Sequence, residues 1–278
     1  METLRDKVAV VTGGASGIGL SMAHAFGREG MRVVLADIET ERLEMARAEL
    51  QSAGVEAAAV SCDVSDPASV AALRDRAVAA FGTVHLLCNN AGVGAGGPSW
   101  EIPLARWRWV FGVNFWGVVH GISSFIPLLL AQGEGHVVNT ASAAGLLAVP
   151  YMGPYTASKH AVVALTEALS IELSLAGGAV GASVLCPMWV RTRIAESERN
   201  APAEMLAAGE AGSAGFGSEL VAGLVAGGME PDEVAARVVS AVTESRFYVL
   251  PHDEVKEGVR QRAERIGREE APVLEFPS

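Results

Sequence analysis

The chain has 278 residues, half of them apolar, and carries 21 Lys plus Arg against 32 Asp plus Glu for a net charge of −11. That size and composition suit one large domain or two small ones and exclude collagen-like, disordered and disulfide-scaffold chains. The negative balance has the wrong sign for neutralising phosphates, so nucleic acid is not expected as a partner.

In chain order, the start METLRDKVAVV sets Asp6 and Lys7 before a short apolar run with no cleavage-site pattern behind it, so no signal peptide is expected. Residues 7–12 read as a strand, a glycine cluster follows, and a helical pattern runs over about 17–28. Strand signals return at 31–36, 57–62, 84–89, 136–140 and 180–186, with amphipathic helical stretches at about 39–53 and 67–81 between them. This alternation predicts an α/β fold: a doubly wound parallel sheet with helices on both faces, because each parallel return needs a crossover. Such sheets bind ligands at the carboxyl ends of their strands. Cys62, Cys88 and Cys186 are an odd number, lack a C-x-x-C pair and lie in or beside these strands, which predicts packed thiols in a reducing, cytoplasmic setting.

Between Arg108 and Glu134 no charged residue occurs, a stretch long enough to cross a bilayer. Asn114, His120, Ser123, Ser124, Pro127 and Gln132 interrupt it and no basic flank orients it, so a buried or subunit-contact helix is expected and a membrane span is not. Trp109 and Trp116, seven apart, fit the same packing. Past Pro187, residues 201–228 hold seven glycines, and the segment of about 190–228 is expected to form a mobile substrate lid. Pro231 opens a helix to about 245, residues 247–250 suit a last edge strand, and 253–270 a charged surface helix. With no repeat, linker or second core, residues 1–278 are expected to form a single domain.

Thr12-Gly13-Gly14-Ala15-Ser16-Gly17-Ile18-Gly19 falls where a strand turns into a helix. Glycines there free the backbone for tight turns and leave helix N-terminal amides open to a pyrophosphate; a plain strand-to-helix turn is the alternative. Asp37 closes the next strand, eighteen residues after Gly19. It could hydrogen-bond a ribose 2′-hydroxyl and repel a 2′-phosphate, favouring NAD over NADP, or be a solvated turn or helix-cap carboxylate. Neither Ser16 nor Ile38, where a basic residue would attract that phosphate, is basic.

Tyr155 and Lys159, four apart in a helical pattern, share one face. Lowering a phenol by about three pKa units takes roughly 4 kcal/mol, which an ammonium and an oxidised nicotinamide could supply together. Tyr155 would then serve as a general base, and Ser142, after the strand ending at Thr140, could polarise the reacting oxygen. Singly, each has a plain alternative: a loop hydroxyl and a surface pair.

Together these residues resemble the short-chain dehydrogenase/reductase family, in its single-domain branch, over about residues 5–250. The resemblance extends to Asp63-Val64 as the adenine-side acid motif and to Asn89-Asn90-Ala91-Gly92. It implies a Rossmann-like fold, a catalytic set of Asn114, Ser142, Tyr155 and Lys159, and an NAD site including Gly13, Ser16, Gly17, Ile18, Gly19, Asp37, Asp63, Val64, Asn90, Ala91, Gly92, Tyr155, Lys159, Pro187, Val190 and Thr192. It also implies that Lys159 holds the nicotinamide ribose, that Asn114 anchors a structural water, and that the charge-free helix pairs subunits into a homotetramer or homodimer. The family's Pro-Gly after the sixth strand is replaced here by Pro187-Met188, followed by Trp189. Trp189 either lines the substrate cleft, with Ser142 and Tyr155, or packs the lid.

Six histidines without ligand spacing predict no metal. Ile18 stands where the closing glycine of a nucleophile elbow would be, so a hydrolase is not expected. The expected function is NAD-dependent interconversion of a secondary alcohol and a ketone. Leu146, Leu147, Tyr151, Met188 and Trp189 favour an apolar or cyclic substrate. An NADPH-linked carbonyl reductase and a non-catalytic dinucleotide-sensing protein are the alternatives.

Overall fold

The computed structural model describes residues 1, 3–203, 205 and 218–274. Seven strands, β1 (Val8–Thr12), β2 (Arg32–Asp37), β3 (Ala57–Ser61), β4 (Leu86–Asn89), β5 (Gly135–Thr140), β6 (Val180–Leu185) and β7 (Tyr248–Val249), form one sheet. Its order is β3-β2-β1-β4-β5-β6-β7 and every pairing is parallel. The winding reverses between β1 and β4, which opens a crevice at the carboxyl ends of those strands. β4 starts two residues later than the periodicity suggests, and the Val84 carbonyl accepts from Gln132 Nε2 at 2.7 Å.

Both faces of the sheet are covered, as parallel strands require. Side chains alternate along β1: Val8 and Val10 join a core layer with Leu73, Phe125, Leu129 and Leu169, while Ala9 and Val11 join another with Met22, Phe26, Val234 and Val238. The first layer is closed by α3 (Pro67–Phe81), α5 (Gly117–Gln132) and α6 (Gly153–Leu175), the second by α1 (Gly17–Arg28) and α8 (Pro231–Thr243). α2 (Thr40–Ser52), α4 (Leu104–Phe111), α7 (Ser218–Ala226) and α9 (Glu254–Gly267) are further helices. Local chemistry sets the ends of α3: Asp66 accepts from Ala68 N–H at 2.9 Å, Pro67 takes the first helical position, and Gly82 leaves at φ +83°. Phe26 and Phe125 are fully buried, and truncating either to Ala costs about 3–5 kcal/mol.

The charge-free run lies within one helical rod in three parts, α4, a π-helical turn over Gly112–Trp116, and α5. By length and composition Leu104–Gln132 could span a membrane, with a mean hydropathy of 1.5 over its most apolar stretch, of which a third is buried. One face of α5 packs on the sheet through Phe125 and Leu129, while Trp116 and Leu130 are exposed. Trp109 packs beside Val93, Ala95 and Val110. The expected lid lies partly outside the described residues, which omit 204 and 206–217.

Candidate active site

The glycine turn after β1 is built for close approach. Gly13 and Gly17 have φ of +64° and +54°. A Cβ on Gly13 would sit 2.9 Å from Ala91 Cα, and one on Gly19 only 2.1 Å from Gly13 O, so these contacts require glycine. Ser16, at the N-cap of α1, makes no side-chain capping bond, so the first-turn amides face the crevice without one. The Asn-Asn-Ala-Gly segment locks onto this turn. Asn90 Nδ2 donates to Thr12 O at 3.0 Å, Asn90 and Ala91 N–H donate to Thr12 Oγ1 at 2.9 and 3.1 Å, and Thr140 Oγ1 donates to Asn90 Oδ1 at 3.3 Å. One asparagine thus ties the ends of β1, β4 and β5.

Asp37, at the end of β2, accepts from Ala15 N–H at 3.1 Å and from Glu39 N–H at 3.0 Å. Asp37 thus caps the turn after β2 and, through Ala15, ties it to the glycine loop. Asp63 is exposed beyond β3, where its Oδ1 accepts from Ser65 N–H and Oγ at 2.9 and 2.7 Å. Val64 is buried beside it and its carbonyl meets His120 Nδ1 at 2.9 Å.

Asn114 is wholly buried in the π-helical turn. Its Oδ1 accepts from Val93 N–H at 2.8 Å, and its Nδ2 donates to Val93 O and Ser158 Oγ at 3.0 and 3.1 Å. Such turns gather at functional sites. A Cβ on Gly92 would lie 3.4 Å from Asn114 Oδ1 and 3.5 Å from Lys159 Nζ, so the segment gripping the glycine turn also reaches the lysine.

Tyr155 and Lys159 lie one turn apart in α6, with Nζ 5.6 Å from the centre of the tyrosine ring. Lys159 is buried and donates to Thr140 O at 2.8 Å. Ser142 leads the turn after β5, where its Oγ accepts from Ala144 N–H at 3.2 Å and donates to Pro187 O at 3.3 Å. Burial pushes the Tyr155 phenol above its ordinary value, against a lowering hydrogen bond from Ser142. Burial also pushes the Lys159 ammonium down to about 8. The protein alone does not acidify the phenol. The Cys186 thiol beside this group is pushed up to about 12, again by burial, which makes it inert. All three cysteines are buried and free.

Beyond β6 the chain folds back over the crevice. The Thr192 methyl lies 2.9 Å from where a Gly17 Cβ would be, Val190 is buried, and Trp189 O accepts from Met229 N–H at 3.0 Å. A 3-10 segment, Ile194–Asn200, is fastened on two sides. Glu39 accepts from Arg199 Nε at 2.8 Å, Asn200 Nδ2 at 3.1 Å and Arg193 Nη1 at 3.2 Å. On the other side Arg106, buried in α4, pairs with Glu198 at 2.8 Å, and Gly94 N–H donates to Ser197 Oγ at 2.9 Å. Sequence reasoning missed Glu39, Arg106, Arg193, Arg199 and Ser158, and no local signal marks them, because the partners of Glu39 stand 154 to 161 residues away. Among the described residues no group of three or more metal-ligating side chains gathers.

A family profile described as short chain dehydrogenase matches residues 7–203. The "C alpha-dehydrogenase" of a Sphingobium strain is 34% identical, covering all of this chain and 90% of its own. The "1-deoxy-11-beta-hydroxypentalenate dehydrogenase" of Streptomyces exfoliatus is 37% identical, over 95% of this chain and 90% of its own. A crystal structure of a short chain dehydrogenase/reductase from Burkholderia phymatum, in complex with NAD, is 44% identical and superposes with a TM-score of 0.93 over the whole of both chains.

Proposed function

The chain belongs to the short-chain dehydrogenase/reductase family, an oxidoreductase of CH–OH groups, and from that premise we propose that it interconverts an apolar or cyclic secondary alcohol and its ketone, with NAD as the hydride carrier. The gathering of Ser142, Tyr155 and Lys159 beside the segment that grips the glycine turn carries this reading. The cradle suits a dinucleotide: Gly13, Gly17 and Gly19 allow close backbone approach, the N-terminus of α1 offers amides to a pyrophosphate, and Asp37, bonded to the glycine loop, would offer its carboxylate to a ribose 2′-hydroxyl. Ser16, Ile18, Asp63, Val64, Asn90, Ala91, Gly92, Pro187, Val190 and Thr192 would line the rest. Bound there, NAD would supply the hydride acceptor and a positively charged nicotinamide.

Tyr155 takes the proton from the substrate hydroxyl in oxidation and returns it in reduction. Lys159, held by Thr140 O, keeps an ammonium next to the phenol and favours phenolate. Ser142 presents a hydroxyl to the reacting oxygen, and Trp189 supplies an apolar wall beside it. Asn114 fixes Val93 and, through Ser158, the helix turn between Tyr155 and Lys159.

The test is a panel of 1-phenylethanol, 1-indanol, cyclohexanol and their ketones, read by nicotinamide absorbance, with Tyr155→Phe as control. Turnover with NAD is expected, and loss of the proton carrier lowers it by about 10²–10⁴-fold. Asp37→Ser should shift preference toward NADP. NAD binding with no turnover anywhere in the panel points to a dinucleotide sensor, and faster turnover with NADPH to a carbonyl reductase.

The same reading includes a homotetramer or homodimer working in the cytoplasm. Trp116 in the π-helical turn, Leu130 on α5, and Ile171 and Leu175 on α6, the last two 63% and 84% exposed, are apolar side chains that a second copy would cover. Light scattering of wild type and Ile171→Glu reads the assembly.

A further inference from the structure

β7 is held to β6 by Cys186 N–H donating to Val249 O at 2.9 Å, which delivers His252 beneath the turn that leaves β6. There Met188 N–H donates to His252 Nδ1 at 3.2 Å. Pro187 O, the other pole of the same amide plane, accepts from Ala143 N–H at 2.8 Å and from Ser142 Oγ at 3.3 Å. One peptide group is therefore gripped at both ends, by an imidazole at its N–H and by the serine turn at its carbonyl. Ser142 Oγ also accepts from Ala144 N–H, and its hydroxyl, resting on Pro187 O here, can turn from that position to donate to Tyr155 or to the reacting oxygen.

We propose that His252 is a positioning residue: by accepting from Met188 N–H it fixes the Pro187–Met188 peptide, and through Pro187 O it aims the Ser142 hydroxyl at Tyr155 and the reacting oxygen. The inference rests on the alcohol–ketone reading above. Polarising a peptide at its N–H strengthens its carbonyl as an acceptor, so the two grips reinforce each other.

Because the donor is an amide, Nδ1 must carry a lone pair, so the clamp exists with a neutral ring and is lost when the ring is protonated. The ring is faced by Glu254 of α9, Arg237 and Glu233 of α8 and the Trp189 backbone. Burial is the largest influence and holds His252 below its usual 6.5. The clamp is intact at neutral pH and opens as pH falls through that lowered value.

The experiment uses the full chain with NAD and the alcohols named above. His252→Leu should lower kcat by about 10-fold with the KM for NAD within about 2-fold, and His252→Asn, whose Oδ1 can replace Nδ1, should keep kcat within about 3-fold. In a Ser142→Ala background, His252→Leu should add no further loss, because both changes remove one interaction. Beyond the acid limb that Tyr155 gives to both proteins, kcat of the wild type should fall by a further step at lower pH that is missing from His252→Asn. Hydrogen exchange at the Ala143 and Met188 amides should speed up in His252→Leu. Additive losses, an unchanged kcat in His252→Leu, the further low-pH step retained by His252→Asn, or unchanged protection at Ala143 would each overturn the proposal. If His252→Leu does not fold, the pH profile of His252→Asn decides. If the wild type turns over no alcohol, the functional reading fails, while exchange at Ala143 in His252→Leu still decides whether the clamp reaches the serine turn.

Discussion

Lys159 is held against its own solvation, and removing its charge should stabilise the protein that it makes active. Burial moves its proton affinity from the usual 10.5 down to about 8. At about 1.4 kcal/mol per tenfold change, keeping the ammonium charged at pH 7 costs the fold about 3 kcal/mol. Lys159→Met keeps the aliphatic stem and removes the charge, but it strands the Thr140 carbonyl that now accepts from Nζ at 2.8 Å. That lost bond costs about 1 kcal/mol, leaving a net gain of about 2 kcal/mol. For a chain of this size the gain is about 4–8 °C in melting temperature. The unfolded lysine stays charged up to 10.5 while the folded one is neutral above about 8. The gain should therefore be full below pH 8, shrink as pH rises and be nearly gone by about pH 10. The assay is guanidinium chloride unfolding of the cofactor-free protein, followed by tryptophan fluorescence at pH 7 and pH 10, at equal protein concentrations. Alcohol oxidation is measured in parallel and should be lost. A variant less stable than wild type at pH 7, or a gain equal at both pH values, would refute the reasoning.

Acid should weaken the fold through His136, whose burial in β5 pushes it down to about 3, with Nε2 2.8 Å from Ser183 Oγ. An unfolded histidine protonates near 6.5, so stability should fall by about 1.4 kcal/mol for each pH unit below that, and His136→Gln should flatten the slope in denaturant titrations. Glu39→Gln loosens the tether of Arg193 and Arg199 over the glycine turn. The KM for NAD should rise about 3–10-fold at low salt, and the difference should narrow as salt is added. An unchanged KM at low salt would count against the tether.

The sheet was legible because its cause is local. Runs such as VAVVT and RVVLAD can be buried on both faces, and the intervening 3.6-residue patterns supply the crossovers. The glycine turn was legible because close packing between Gly19 and Gly13 O admits no side chain. Tyr155 and Lys159 were legible as neighbours because one helical turn separates them. The state of the phenol was not: its rise comes from burial, a property of every element packed around it. The π-helical turn at Asn114 was also hidden, since its amide partners are Val93 and Ser158, 21 and 44 residues away.

The sequence by itself determined the alternation of strands and helices, the turn that must be glycine, and the residue types able to move a proton, because backbone sterics and side-chain periodicity act over a few residues. Tertiary structure alone decided that Glu39 fastens a segment 154 residues on, that one peptide after β6 is gripped by both His252 and Ser142, and that Lys159 sits where its charge is costly. Hydrogen bonds and desolvation depend on distance in space, and folding brings these groups together only after the sheet has set their positions.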